Sequence, residues 1–136
     1  MTFEEAAAWL PNGFHDAELQ SFGMDYGQRK LRFELVVWIG DMDDSRRREI
    51  YRPARLTVDD VAFLVLEPPD GNYRFLNAGP IRIDVGQGRP RQSSSSLPDL
   101  PAGLPITWMY LGELNAFLLF SAGSMSLLWT GPEEAR

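Results

Sequence analysis

Between residues 30 and 39 the chain alternates, with Leu31, Phe33, Leu35, Val37 and Ile39 at odd positions and Lys30, Arg32 and Glu34 at even ones. Successive side chains of a strand point to opposite faces, so the spacing predicts a half-buried strand with its odd aliphatics inward. With the stretch before it, residues 14–40 read as one long antiparallel hairpin. The first arm, 17–24, alternates less cleanly. Leu19 is out of phase with Phe22 and Met24, which predicts a bulge near Gln20 and Ser21. Residues 25–29, with Gly27, make the turn. Val36 and Trp38 place an apolar end on the polar face of the second arm. Such an end needs a cover: the helix, a second sheet or another chain.

Further elements follow from the same reasoning. Thr2 and Glu5 have the spacing of a capping box, Ala6, Ala7 and Ala8 favour helix, and Pro11, Asn12 and Gly13 stop it. The helix has about two turns, and its Phe3, Ala7 and Leu10 face a sheet. Residues 49–58 and 61–67 read as strands, with Leu56 and Val58 sharing a face in one and Val61, Phe63 and Val65 in the other. Asp59 and Asp60 between them form either a tight turn or a bulge. Pro53 points to an edge position or an irregular strand start. Pro68, Pro69, Asp70, Gly71 and Asn72 form a turn. Ile81, Ile83 and Val85 make another strand. Residues 86–104, with glycines, prolines and four consecutive serines, predict a long mobile loop. The apolar stretches 106–120 and 124–130 supply the final strands, joined by a turn at Ala122 and Gly123, and residues 132–136 form a polar tail. The fold class is mainly β: one domain over 1–136, with an antiparallel sheet of about six to eight strands folded into a sandwich or partly open barrel and one short N-terminal helix.

Composition narrows the function classes. The 136 residues contain no cysteine, so no disulfide framework, thiol nucleophile or thiolate zinc site exists. The net charge of −6 argues against nucleic acid, whose phosphates demand a cationic surface. Lys30 is the lone lysine, which weighs against lysine catalysis. The N-terminus lacks a signal peptide's basic region and apolar core, and no apolar run approaches the ~20 residues of a membrane-spanning helix. The expected location is the cytoplasm.

Candidate chemistry is sparse. His15, the only histidine, is followed by Asp16, with Glu18 close behind. An imidazole oriented by a carboxylate can take a proton near neutral pH. A metal-dependent His–Asp phosphohydrolase, however, needs further histidines, and none exists. The alternative is structural: His15 or Asp16 bonds backbone groups where the chain enters the sheet. Asp41, Asp43 and Asp44 open like a calcium loop, but Arg46 stands where that loop needs glycine and Arg52 where it needs a bidentate glutamate. With Arg46, Arg47 and Arg48 they read as a solvated hairpin loop or as a charged contact surface for a protein partner. Gly86 and Gly88 lack the third glycine and following helix of a dinucleotide loop. Ser121 and Ser124 lack a nucleophile elbow. Trp108 and Tyr110 share parity and join Val36 and Trp38 as candidate interface residues, with core packing and a ligand cavity as the other options. No residue is assigned a catalytic role, and no cofactor or metal is implied.

The run Phe14, His15, Asp16, Ala17, Glu18, Leu19 resembles the aromatic/leucine-His-Asp-Ala-x-Leu start of small bacterial β-rich proteins, some grouped with predicted immunity proteins of toxin systems. Tyr51 to Thr57 and Val65 to Pro68 are similar to strands of that group. The resemblance covers the first half of the chain and implies a cytoplasmic protein that acts by binding. Together these features favour a non-enzymatic protein-interaction domain, of the immunity type, with an acidic surface suited to a basic partner. A small-ligand binder lined by Trp108, Tyr110 and Phe120 is the alternative. A hydrolase using His15, and self-association through a strand edge or the Val36/Trp38 patch, are the remaining expectations.

Overall fold

The computed structural model describes residues 1–90 and 99–136. Helix α1 (Phe3–Trp9) begins with the expected capping box: the Thr2 hydroxyl accepts from the Glu5 N–H at 3.2 Å, and the Glu5 carboxylate accepts from the Thr2 N–H at 2.7 Å. Leu10 is extended and ends the helix. Ala6 and Leu10 are buried in the core, with Phe3 and Ala7 packed against it.

Strands β1 (Glu18–Asp25) and β2 (Lys30–Trp38) form the predicted hairpin, and the register shifts between Leu19 and Ser21 as the bulge requires. The extra residue returns Leu19, Phe22 and Met24 to one face. Leu31, Phe33, Leu35 and Val37 are each at most 1% exposed, so the odd positions of β2 form the floor of the core. The turn is tied by the Asp25 carboxylate, which accepts from the Gln28 N–H at 3.0 Å, and its left-handed residue is Arg29 (φ +54°), not Gly27.

Strand β3 (Ile50–Asp59) pairs with β2 from Leu31 opposite Val58 to Trp38 opposite Tyr51. It is an interior strand, not an edge. Pro53 is accommodated where the partner on its other side changes from the strand Glu134–Ala135 to the strand Ser124–Trp129, and its carbonyl accepts from the Thr130 N–H at 3.0 Å. After Asp59 the chain does not turn back. Asp60 takes a left-handed conformation (φ +53°), and β4 (Phe63–Leu66) pairs with the strand Ala116–Ser121 in the other layer. The two aspartates therefore mark a corner between layers, neither a hairpin turn nor a bulge. The corner also separates residues expected on one face: Val61 joins the main core, whereas Phe63 and Val65 face outward.

Beyond it lie β5 (Ile81–Gln87), β6 (Thr107–Leu111), β7 (Ala116–Ser121), β8 (Ser124–Trp129) and β9 (Glu134–Ala135). Residues 86 and 87 thus belong to a strand, and residues 91–98 of the expected mobile loop lie outside the described residues. The stretch 106–120 is two strands, because Gly112–Leu114 form a 3-10 turn closed by Asn115 in a left-handed conformation (φ +46°). The expected polar tail is a strand in part: Glu134 and Ala135 pair with Tyr51 and Ile50.

Nine antiparallel strands among the described residues run in the order β4-β7-β6-β5-β1-β2-β3-β8, with β9 on β3. The sheet folds on itself without closing into a barrel. One layer holds β1, β2, β3 and β8, the other β4 to β7, and the core fills the space between them. Phe33 of the first layer meets Phe120 of the second at 5.7 Å between ring centroids. No helix among the described residues is long and apolar enough to cross a membrane. Replacing Phe33 with alanine removes a fully buried ring at this contact. We expect a loss of about 3–5 kcal/mol, read as a lowered denaturant midpoint in chemical unfolding.

Candidate functional site

The residues singled out near the N-terminus do come together, at the end of the first layer. Asn12, Gly13 and the backbone of Phe14 turn the chain out of α1, with the His15 N–H donating to Asn12 O at 3.3 Å and the Ala17 N–H to Phe14 O at 3.1 Å. Asp16 is left-handed (φ +56°), a conformation aspartate tolerates. His15 Nε2 lies 3.5 Å from Asp16 Oδ2, with the two side chains 71% and 42% exposed. The imidazole meets the Trp38 indole edge-on at 5.9 Å. Neither side chain bonds a backbone group among the described residues. That task falls to Asn12, whose amide donates to Gly40 O at 2.8 Å. Among the described residues no three His, Cys, Asp or Glu side chains are placed to hold a metal.

Glu18, Val36, Trp38 and Tyr51 form the adjoining patch on the outer face of this layer. Val36, Trp38 and Tyr51 are all buried, and the cover is the chain's own. Arg136 reaches Glu18 Oε1 at 2.6 Å and lays its guanidinium 4.2 Å from the Tyr51 ring centroid. The Trp38 indole N–H donates to Arg48 O. This brings the 41–48 loop so close that a Cβ on Gly40 would collide with the carbonyls of Arg47 and Arg48. The expected covers were the helix, the second sheet or another chain. Sequence reading missed Arg136 and Tyr51, because the pair that closes the patch is separated by most of the chain. Burial raises the Tyr51 phenol pKa, with Glu49 and Asp16 adding to the rise and Arg136 and Arg82 opposing it.

The loop that carries Asp41, Asp43 and Asp44 bonds to itself. Asp41 Oδ1 accepts from the Asp43 N–H and Asp44 Oδ1 from the Arg46 N–H, both at 2.9 Å, while the Asp41 N–H donates to Arg47 O at 2.9 Å. Asp41 and Asp44 are thus turn-forming side chains, and Asp43 is exposed.

Trp108 and Tyr110 lie elsewhere, on the outer face of the second layer. There Phe117 and Leu119 of β7, Ile106, and the partly buried Phe63 and Val65 of β4 build a second apolar cluster. All six residues of β7 are buried, because this layer is apolar on both faces. The Trp108 indole lies on Gly86, its neighbour across β5 and β6, where any Cβ would strike the ring. Phe117 stands edge-on to Trp108 at 6.0 Å and tilts against Tyr110 at 5.0 Å. The Tyr110 hydroxyl donates to Asn115 Oδ1 at 2.6 Å, and Asn115 donates to Asp70 Oδ2 at 3.3 Å. Burial raises the Tyr110 pKa, with Tyr73 and Asp70 adding to it. An open groove of about 520 Å³ borders the three aromatic rings, with Asp84, Gln87 and Arg89 at its rim. Phe120 has the opposite parity and points into the main core. Trp108, Tyr110 and Phe120 therefore do not line one cleft. Leu119 was the residue missed here. Its signal was an unbroken apolar run in β7, which marks a strand covered on both faces.

No family model, no curated protein and no solved structure matches this chain.

Two outcomes follow from these geometries. His15→Ala changes stability by about 1 kcal/mol or less, because the ring is largely exposed and loses only an edge contact; thermal unfolding measures it. A phenol that holds its proton more tightly in the folded chain favours folding below its unfolded pKa, and the gain is lost as pH climbs through the raised value. Stability therefore falls as pH rises above 10.0. Tyr51→Phe flattens that fall in denaturant titrations across the alkaline range.

Proposed function

We propose that this chain is a non-enzymatic protein-interaction domain, of the immunity type, that grips a basic partner with the outer face of its second layer. The observation that carries the reading is the burial of β7 on both sides. A layer with one face on the core ordinarily turns a polar face to water. Here the outward face is Trp108, Tyr110, Phe117, Phe63 and Val65, with Trp108 and Tyr110 only half-buried. Aromatic side chains at the centre of a patch with a polar rim have the composition of an interface core. The net charge of −6 supports a basic partner and speeds its encounter. On this reading the protein works in a bacterial cytoplasm on another protein, not on nucleic acid or a membrane.

The His15 and Asp16 side chains stand 3.5 Å apart and are 71% and 42% exposed, so they lend the hydrolase reading no support. The Val36 and Trp38 patch is closed by Arg136 and the 41–48 loop, so it lends none to self-association.

Immobilised chain is to be challenged with lysate of its source cells, and bound protein eluted with a salt gradient. We expect a basic protein released by salt, and at least a tenfold weaker retention by Trp108→Ala. A variant that remains folded by circular dichroism yet retains the same protein equally well overturns the reading, as does capture of nothing by the unaltered chain.

A further inference from the structure

The two outermost strands of the sheet are protected very differently. At β8 the free edge is met in part: Met1 exchanges two backbone hydrogen bonds with Met125, at 2.7 and 2.8 Å, and Trp9 of α1 tilts against Trp129 at 5.1 Å. At β4 no described strand covers it: among the described residues Phe63–Leu66 pair with β7 alone. The Glu67 N–H donates to Phe117 O, so Glu67 faces β7; by the antiparallel alternation Phe63 and Val65 do so as well. The N–H and C=O groups of Leu64 and Leu66 then point to the open side. Residues 63–66 include no lysine and no proline, two of the usual devices that stop an edge from recruiting another strand.

We propose that this edge takes an extended segment of the protein partner as an additional strand, antiparallel or parallel to β4, with apolar residues flanked by Lys or Arg. The inference rests on the protein-interaction reading above and adds the mode of binding. Main-chain bonds to Leu64 and Leu66 provide affinity, and an apolar groove of about 460 Å³ beside Leu66, walled by Phe22, Phe75, Ile81, Leu111 and Leu114, receives a side chain. Outward-facing residues of the added strand continue the Phe63, Val65 and Phe117 surface.

Charge selects the occupant. The strand itself is neutral, and the exposed carboxylates beyond its ends are Asp60 and Asp70. Asp60 has Arg29 at 3.6 Å, with both side chains more than half exposed, so water largely screens that pair. Among the described residues the Asp70 carboxylate accepts from the Asn72 N–H and the Asn115 side-chain amide. An antiparallel second copy would set the Asp60 end of one chain against the Asp70 end of the other, and each copy carries −6. A cation-flanked strand meets both ends favourably.

The probe is the peptide Lys-Lys-Val-Thr-Val-Thr-Val-Lys-Lys with blocked termini, and a counterpart with glutamate for every lysine. Amide hydrogen exchange by NMR reads the edge. In the free chain the Leu64 and Leu66 amides exchange quickly; a saturating excess of the lysine peptide slows them at least tenfold, and the glutamate peptide does not. Leu66→Pro removes an outward N–H from a half-exposed position without touching the β7 bonds, and abolishes the protection at Leu64. Unchanged exchange with the lysine peptide, equal protection by both peptides, or protection that survives Leu66→Pro each overturn the proposal. So does a concentration-dependent dimer in sedimentation that Leu66→Pro dissolves, which would make the occupant a second copy. If Leu66→Pro still retains the lysate protein and Trp108→Ala does not, the edge is excluded and the aromatic face stands.

Discussion

Everything in this fold is referred to the pleat of β2. Its odd side chains are withdrawn from water completely, and a slip of one residue would exchange them for Lys30, Arg32 and Glu34. The register is therefore fixed on both flanks at once. Toward β1 it forces the bulge at Gln20, since only an added residue brings Leu19 and Phe22 to the same side. Toward β3 it sets Glu34 opposite Arg55, whose Nε donates to the carboxylate at 2.6 Å on the outer face. Hydrophobic burial decides the alignment, and the ion pair, a third exposed on each side, follows from it.

The two layers solve the problem of their outer faces by opposite means. The first is polar along most of its length, and its apolar end is roofed by Arg136 and a self-bonded loop. The second is apolar across β4, β6 and β7, with Trp108 seated on the bare backbone of Gly86 and partly open to solvent. A glycine beneath an aromatic ring is a stable pairing in a sheet, because the ring covers a stretch of main chain that would otherwise face water. The same pairing leaves the far side of the indole available. It is this contrast that makes the second layer, and not the histidine end, the place to look for a partner.

What the sequence disclosed depended on how far apart the interacting residues lie. The capping box at Thr2 and Glu5, the alternation of β2 and the bulge at Gln20 are written within a few residues, and each was legible. The corner at Asp60 was not, because nothing local distinguishes a chain that doubles back from one that crosses to another layer. Pro53 misled for a related reason: proline bars a ladder bond, yet β3 changes partners at that position, so an interior strand accommodates it. Of the candidate sites, the apolar end at Val36 and Trp38 was read correctly as needing a cover. The cover itself, Arg136, lies outside any local window. Trp108 and Tyr110 were visible as a same-face pair, while Phe120 was grouped with them because parity across a pairing is unknowable before the register is known.

The contact of Arg136 with Glu18 and Tyr51, and of Met1 with Met125, tie the first residues of this chain to its last. A topology stitched in this way assembles slowly, since the entropic cost of closing long loops precedes the reward of the contacts. On a ribosome the β1–β2 hairpin emerges early, with Val36 and Trp38 uncovered, and stays so until residue 136 has been synthesised. The nascent chain thus displays a sticky surface that the finished molecule conceals, and its safe passage to the native state depends on the speed of synthesis and on whatever shields it meanwhile.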